Sequence, residues 1–154
     1  MAVTANVYNH TTSLVAGQSI DTTNLKAMLL TSLASFDATD TTVDAVAGAL
    51  TGSPAERANE FYGNGWAQGG PTVGSVAAST ITTNDAKLAA AQISVAASGG
   101  EIGPARYVLL YDATNSKPLI LYDLGQDEHA GDTTDFKFTF DLTGGSNAIF
   151  TLTV

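Results

Sequence analysis

The reactive groups open to this 154-residue chain are fifteen Asp and Glu, two His and a single Trp, because it contains no cysteine. Paired carboxylates can divide general acid and general base work, and clusters of them can bind calcium through oxygen. Two sets have the proximity for a cation: Asp37, Asp40 and Asp44, and Asp127, Asp132 and Asp135. Neither follows the alternating Asp order of an EF-hand loop. Most of the acids stand among Thr, Gly and Asn, where an Asp caps its own turn by accepting from the backbone two residues on. His10 and His129 are far apart in sequence, and a Ser-His-Asp triad would have to be assembled entirely by the fold. The chain has no nucleophile elbow and no His-x-x-x-His zinc helix. The glycine-rich stretch 63–70 lacks the GK[ST] ending of a phosphate loop and runs on into strand-like sequence. No catalytic residue, cofactor-binding residue or metal ligand is assigned, and the chain is expected to be noncatalytic.

Trp66 lies within Gly63-Asn64-Gly65-Trp66-Ala67-Gln68-Gly69-Gly70-Pro71. An exposed Trp there would stack on a sugar, as lectin aromatics do. Beside Phe61 and Tyr62, the favoured reading is an anchor holding the loop to its own core or to a neighbouring subunit. The candidate partner contacts are Val3 and Tyr8 in an N-terminal arm and Phe61, Tyr62 and Trp66 around the loop.

The elements that would position these residues are mainly β. Leu25–Thr31 is apolar and flanked by turn-forming Asp/Thr clusters, which favours a strand. Ala105–Asp112 and Pro118–Leu124 form a hairpin about Thr114-Asn115-Ser116. Phe136–Leu142 alternates aromatic and polar residues, the strongest half-buried strand signal, and Ala148–Val154 is a final strand. Pro71–Thr82 reads as strand with an irregularity at Gly74, and Ile93–Ala96 as a period-two strand. The Ala-rich run Lys87–Gln92 has helical propensity, but pairing is expected to override it. Gly125–Asp135 reads as an exposed acidic loop, and residues 36–46 carry no helical stripe. One short helix is expected from Pro54 to Phe61, where Ser53-Pro54-Ala55-Glu56 supplies an N-cap, a first-turn Pro and a capping Glu. The sum is an antiparallel β-sandwich or β-barrel-like domain over 11–154 with an arm over 1–10 and one short helix.

Composition removes whole classes of function. With six Lys and Arg against fifteen acids, the net charge is −9, too acidic to neutralise many phosphates, so direct nucleic-acid binding is not expected. No run of eighteen apolar residues exists to span a membrane, and the start of the chain lacks a signal-peptide pattern, so synthesis and folding in the cytoplasm are expected. Only 14% of residues are charged, against roughly 25% in ordinary soluble domains. Thr, Ser, Asn and Gly take their place. Short uncharged side chains lose little entropy when pressed against a neighbour.

Several segments are familiar as a pattern. Asn24-Leu25-Lys26-Ala27-Met28-Leu29-Leu30, then Phe36-Asp37-Ala38-Thr39-Asp40-Thr41-Thr42, then Glu60-Phe61-Tyr62-Gly63-Asn64-Gly65-Trp66-Ala67-Gln68-Gly69-Gly70 resemble a set of small tailed-bacteriophage virion proteins. Those proteins show an "LKVMLL" strand, an Asp/Thr tract and a Glu-x-x-Gly-x-Gly-aromatic-x-x-Gly-Gly loop. Asn84–Leu88, Ile102–Ala105 and Ala130–Phe136 match further segments in the same order. The chain departs from the pattern at the insertion-like Ser53–Glu60. The resemblance implies a structural component of the virion with no catalytic residues to transfer. A capsid decoration (cement) protein is the first expectation, its partners the major capsid protein and copies of itself, with a homotrimer at threefold positions as one such assembly. Tail, neck or head-fibre components are the alternative, and a carbohydrate-binding adhesin domain using Trp66 is a third.

Overall fold

The computed structural model describes residues 3–50, 53–80, 85–140 and 147–152. In chain order they form β1 (Thr4–Val7), α1 (Thr11–Ala16), β2 (Leu25–Leu30), α2 (Val43–Ala47), β3 (Ala49–Leu50), β4 (Ser53–Arg57), β5 (Glu60–Phe61), β6 (Ala77–Thr80), β7 (Ala86–Ala89), β8 (Ile93–Ala96), β9 (Ile102–Asp112), β10 (Lys117–Ala130), β11 (Asp135–Phe138) and β12 (Ala148–Leu152). A five-stranded antiparallel sheet in the order β1-β10-β9-β2-β5 is the centre. The smaller pairings β12-β7-β6 and β11-β8 supply residues that pack on one of its faces, and β3-β4 forms a separate ribbon. The fold is mainly β and antiparallel, consistent with a sandwich.

The long apolar runs follow from a central sheet covered on both faces. Leu25, Ala27 and Leu29 of β2, Val108 and Leu110 of β9, and Ile120, Tyr122 and Leu124 of β10 point to one side. There they meet Leu88, Ile93, Phe136, Phe138, Phe140 and Ile149 of the smaller strands and their flanks. Met28, Leu30, Leu109, Tyr111 and Leu121 point to the other side, beneath Val43, Val46 and Ala47 of α2. Tyr122, Phe138 and Phe140 meet edge to face, with ring centroids 5.1–5.9 Å apart. Such pairs add about 0.5–1.5 kcal/mol each beyond the area they bury.

The helix expected at Pro54–Phe61 is not there. Residues 53–57 form β4 against β3, and Glu60–Phe61 pairs with Leu29 and Leu30. The intervening backbone is also held by nonlocal partners, since Ala58 N donates to Gly48 O and Asn59 N to Ala47 O, while Asn59 O accepts from Thr31 N. These bonds replace what a helical cap would have provided. The helices form instead at α1 and α2, neither signalled by a strong stripe. The Thr42 side chain caps α2 by accepting from Ala45 N, and Gly48 ends it at φ +71. A turn this short gains its stability from the face it buries rather than from propensity.

Two further expectations are corrected. The N-terminal arm is β1, a strand of the central sheet in register with Asp123–Ile120 of β10, and Tyr8 behind it is fully buried. The acidic stretch after Leu124 is not a loop until Ala130, because β10 continues with Glu128 opposite Ala105 and Ala130 opposite Ile102. Gly103 permits this approach: a Cβ there would lie 2.6 Å from Glu128 O. Gly131–Thr134 then turns the chain, Thr134 N donating to Gly131 O. Lys87–Ala89 of the Ala-rich run pair within β7, with β6 on one side and β12 on the other, while Ala90–Gln92 lie between β7 and β8. Of the strand read at Pro71–Thr82 the described strand is Ala77–Thr80, of that at Phe136–Leu142 the described strand is Asp135–Phe138, and Ala148–Leu152 forms β12 as read; residues 81–84, 141–146 and 153–154 lie outside the described ones. Among the described residues no helix is long and apolar enough to cross a membrane.

Candidate functional site

The glycine-rich loop after β5 is the most distinctive segment, and its parts are spent on its own shape. Gly63 and Trp66 exchange backbone hydrogen bonds of 2.8 and 2.9 Å around Asn64 (φ +51) and Gly65 (φ +100). Positive φ at both central residues defines the tight Asn-Gly hairpin turn. Asn64 ties this turn to the β8–β9 connection, its O accepting from Ser98 N and its Nδ2 donating to Glu101 O at 2.7 Å. Farther on, Gly69 N donates to the Glu60 carboxylate, and Gly69 O accepts from the Tyr111 hydroxyl at 2.6 Å. The Glu60 side chain has no solvent exposure, and its second oxygen lies 3.6 Å from Arg57 Nη1, while Arg57 Nε donates to Asp44 at 3.1 Å. Burial pushes the Glu60 carboxyl above its ordinary range, and the Gly69 amide and Arg57 pull it back. Burial also raises the Tyr111 hydroxyl to about 12. A carboxylate so enclosed braces the loop and has no access to a substrate.

The five predicted contact residues do not form one surface. Trp66 is only 2% exposed, set edge-on against Phe136 with centroids 5.5 Å apart, so it anchors its loop to the chain's own core and offers no face to a sugar. Tyr8 is also buried, beside Phe36 at 5.0 Å. Phe61 is half-buried against the core. Val3 and Tyr62 are exposed, but they flank β1 and β5, the opposite edges of the central sheet. Val7 and Leu33 are exposed as well and escaped the sequence reading. Val7 shares one face of β1 with Val3.

The acids likewise serve local structure. Asp37 accepts from Thr39 N and Thr39 Oγ1, which holds its carboxyl below the usual range, whereas burial and Asp37 push Asp40 up. Asp132 accepts from Gly99 N, and Asp135 accepts from Ser94 Oγ. Asp112 accepts from the amides of Asp21, Thr114 and Asn115, closing the β9–β10 turn. Among the described residues no three His, Asp or Glu side chains converge as a metal site. His10 Nε2 lies 2.7 Å from Pro118 O, and His129 Nδ1 lies 3.4 Å from Glu101, so the two imidazoles sit toward opposite ends of β10 and share no reaction centre.

Arg106 and Asp123 form a two-pronged pair across β9 and β10, at 2.8 and 3.2 Å. The Arg106 hydrogen bond is the main cause holding the Asp123 carboxyl low. A carboxyl lowered on folding contributes stability above its unfolded pKa and loses it as pH falls through the folded value. Asp123→Asn should therefore cost about 0.5–1 kcal/mol at pH 7, the scale of a partly exposed pair. Urea unfolding at pH 7 and again well below the ordinary Asp pKa of about 3.9 checks this. The gap between variant and parent should close on the acid side, and a gap that widens there would contradict the sign.

No family model, curated protein or solved structure matches the chain. The class defined by the geometry is a mainly β antiparallel domain whose buried polar groups brace loops.

Proposed function

We propose that the chain is a structural protein of a tailed-phage virion, acting as a capsid decoration protein that binds the outer shell and bridges neighbouring major capsid subunits. The observation that carries this reading is the ordered resemblance over roughly residues 3–140, joined to the use made of its most distinctive part. Glu60, Gly65, Trp66, Gly69 and Gly70 are fixed by shape and hydrogen bonding, as suits a scaffold. The net charge of −9 suits a place outside the packaged genome, and a composition low in charge and rich in Thr and Ser suits close packing. Many copies, each with a modest interface, would resist internal pressure by avidity.

Copy number tests the reading. Quantitative gel densitometry of purified particles of the encoding phage should find on the order of hundreds of copies, the number that avidity across a shell requires. A handful of copies would move the protein to the tail, neck or a head fibre, and absence from the particle would remove the virion role. The adhesin alternative would have to rest on the Asn and Asp residues near the loop, because the Trp66 ring is packed against Phe136.

A further inference from the structure

Asp40 stands apart from the other acids of the turns. Asp21, Asp37, Asp112, Asp132 and Asp135 each accept a hydrogen bond from a nearby amide or hydroxyl. Asp40 is half-buried, yet among the described residues no donor meets its carboxylate and no Lys, Arg or His pairs with it. Lys117 Nζ comes to the same segment but ends on Thr41 O, at 3.1 Å. Asp40 shares a tight turn with Asp37, its amide donating to Asp37 O at 3.0 Å. Thr39 occupies only Oδ1 of Asp37. Burial and the Asp37 charge together push the Asp40 carboxyl above its ordinary range, as expected for like charges left uncompensated.

Tyr8 lies beneath this turn. Asn9 N donates to Ala38 O at 3.0 Å, and the Tyr8 ring meets Phe36 with centroids 5.0 Å apart, so the turn is laid over the residue that ends β1. Tyr8 has no solvent exposure, and its hydroxyl has no hydrogen-bond partner. A buried polar group left unpaired costs free energy. The charges that act on this hydroxyl are those of Asp40 and then Asp37, which add to burial in pushing its titration far up and keep it a neutral phenol. It is therefore directed at the two carboxylates without reaching hydrogen-bonding distance of either.

We propose that Asp37, Asp40 and the Tyr8 hydroxyl bind one calcium ion, which fastens the 36–41 segment to the end of β1. Oxygens that each lie about 2.3–2.6 Å from one ion stand up to about 5 Å from one another, close enough to interact and too far apart to hydrogen-bond. Among the described residues no His joins the two carboxylates, so the donors are oxygen alone, which selects a hard cation. Calcium accepts an irregular oxygen set completed by water, whereas magnesium demands a near-ideal octahedron. Asp44 is not a ligand, because Arg57 holds it. With two carboxylates the site belongs at the weak end of the calcium range, with a dissociation constant on the order of 10⁻⁴–10⁻³ M. It does not depend on the virion role and is a property of the isolated chain.

After dialysis against EDTA, the full-length protein should take up one calcium in isothermal titration calorimetry, and about 10 mM calcium chloride should raise its thermal midpoint by about 3 °C or more. The same concentration of magnesium chloride should raise it by less than about half as much. Asp40→Asn should abolish the calcium shift, and Tyr8→Phe, which removes one oxygen, should weaken binding about threefold or more. Asp132→Asn, in the other acidic stretch, should bind as the parent does. Should Tyr8→Phe fail to fold, terbium emission excited through tyrosine decides: it should appear with the parent, fall on addition of calcium and be lost in Asp40→Asn. A parent that shows no calcium response, a response that survives Asp40→Asn or disappears with Asp132→Asn, or a folded Tyr8→Phe that binds calcium as tightly as the parent overturns the proposal.

Discussion

Gly70→Ala is expected to cost at least about 4 kcal/mol, enough to unfold a marginally stable domain. Gly70 sits at φ +77, and a Cβ built there would lie 1.7 Å from Ala27 O and 2.5 Å from Ala27 C. Neither side can yield cheaply. Ala27 is in β2, paired with Leu110 of β9 on one side, and its amide donates to Pro71 O on the other at 3.2 Å. Moving Ala27 breaks that ladder, and moving Gly70 pulls Gly69 from the Glu60 carboxylate and the Tyr111 hydroxyl. Gly74→Ala is the control, because a Cβ there meets nothing within 4 Å and the backbone is not in the left-handed region. It should change stability by no more than about 0.5–1 kcal/mol, in either direction. Urea unfolding of both variants, followed by far-UV circular dichroism, gives the comparison. Equal midpoints for Gly70→Ala and Gly74→Ala would sink the close-approach argument.

Trp66→Ala is expected to lower stability by about 3–5 kcal/mol, the usual cost of emptying a large aromatic site. The indole is buried in the main core cluster and holds the tight turn at Asn64-Gly65 against Phe136. Its Nε1 has no hydrogen-bond partner among the described residues, so Trp66→Phe loses volume but no polar contact and should cost about half as much or less. Trp66 is the sole Trp, so the parent's emission should be blue-shifted and should move red in a single step on unfolding. A parent spectrum already red-shifted in the native state, or a Trp66→Ala variant as stable as the parent, would place the ring at the surface and return sugar stacking to consideration.

How far the site could be read from sequence depended on whether its signal was local. The loop over Gly63–Pro71 and the Thr114–Ser116 turn were legible because turn-forming residue types cluster within a few positions, whereas the tight Asn64-Gly65 turn inside that loop was not singled out. Glu60 opens the Glu-x-x-Gly-x-Gly-aromatic segment, but its role was not legible there. That role depends on Gly69 N folding back to it and on Arg57 approaching from β4. Val7 was passed over since one exposed valine in a weakly alternating stretch carries no mark of an open edge. Only the presence of β10 on one side and, among the described residues, of no strand on the other makes it so.

By itself, the amino-acid sequence determined a mainly β antiparallel chain, the period-two strands at Ile93–Ala96 and Phe136–Phe138, the hairpin formed by β9 and β10, and an acidic surface poor in charge. Periodicity and turn chemistry act within a few residues, so composition and order are enough to read them. The tertiary structure alone decided that Ser53–Arg57 is a strand despite its helix-start signals, that Thr4–Val7 join the central sheet rather than form a free arm, and that Trp66 faces inward. Each outcome is set by partners tens of residues away, such as Gly48 O for Ala58, Leu121 for Asn6 and Phe136 for Trp66. The free energy of burying apolar surface and satisfying backbone groups across such separations exceeds the few tenths of a kcal/mol by which local propensity prefers one conformation, and so the partners decide.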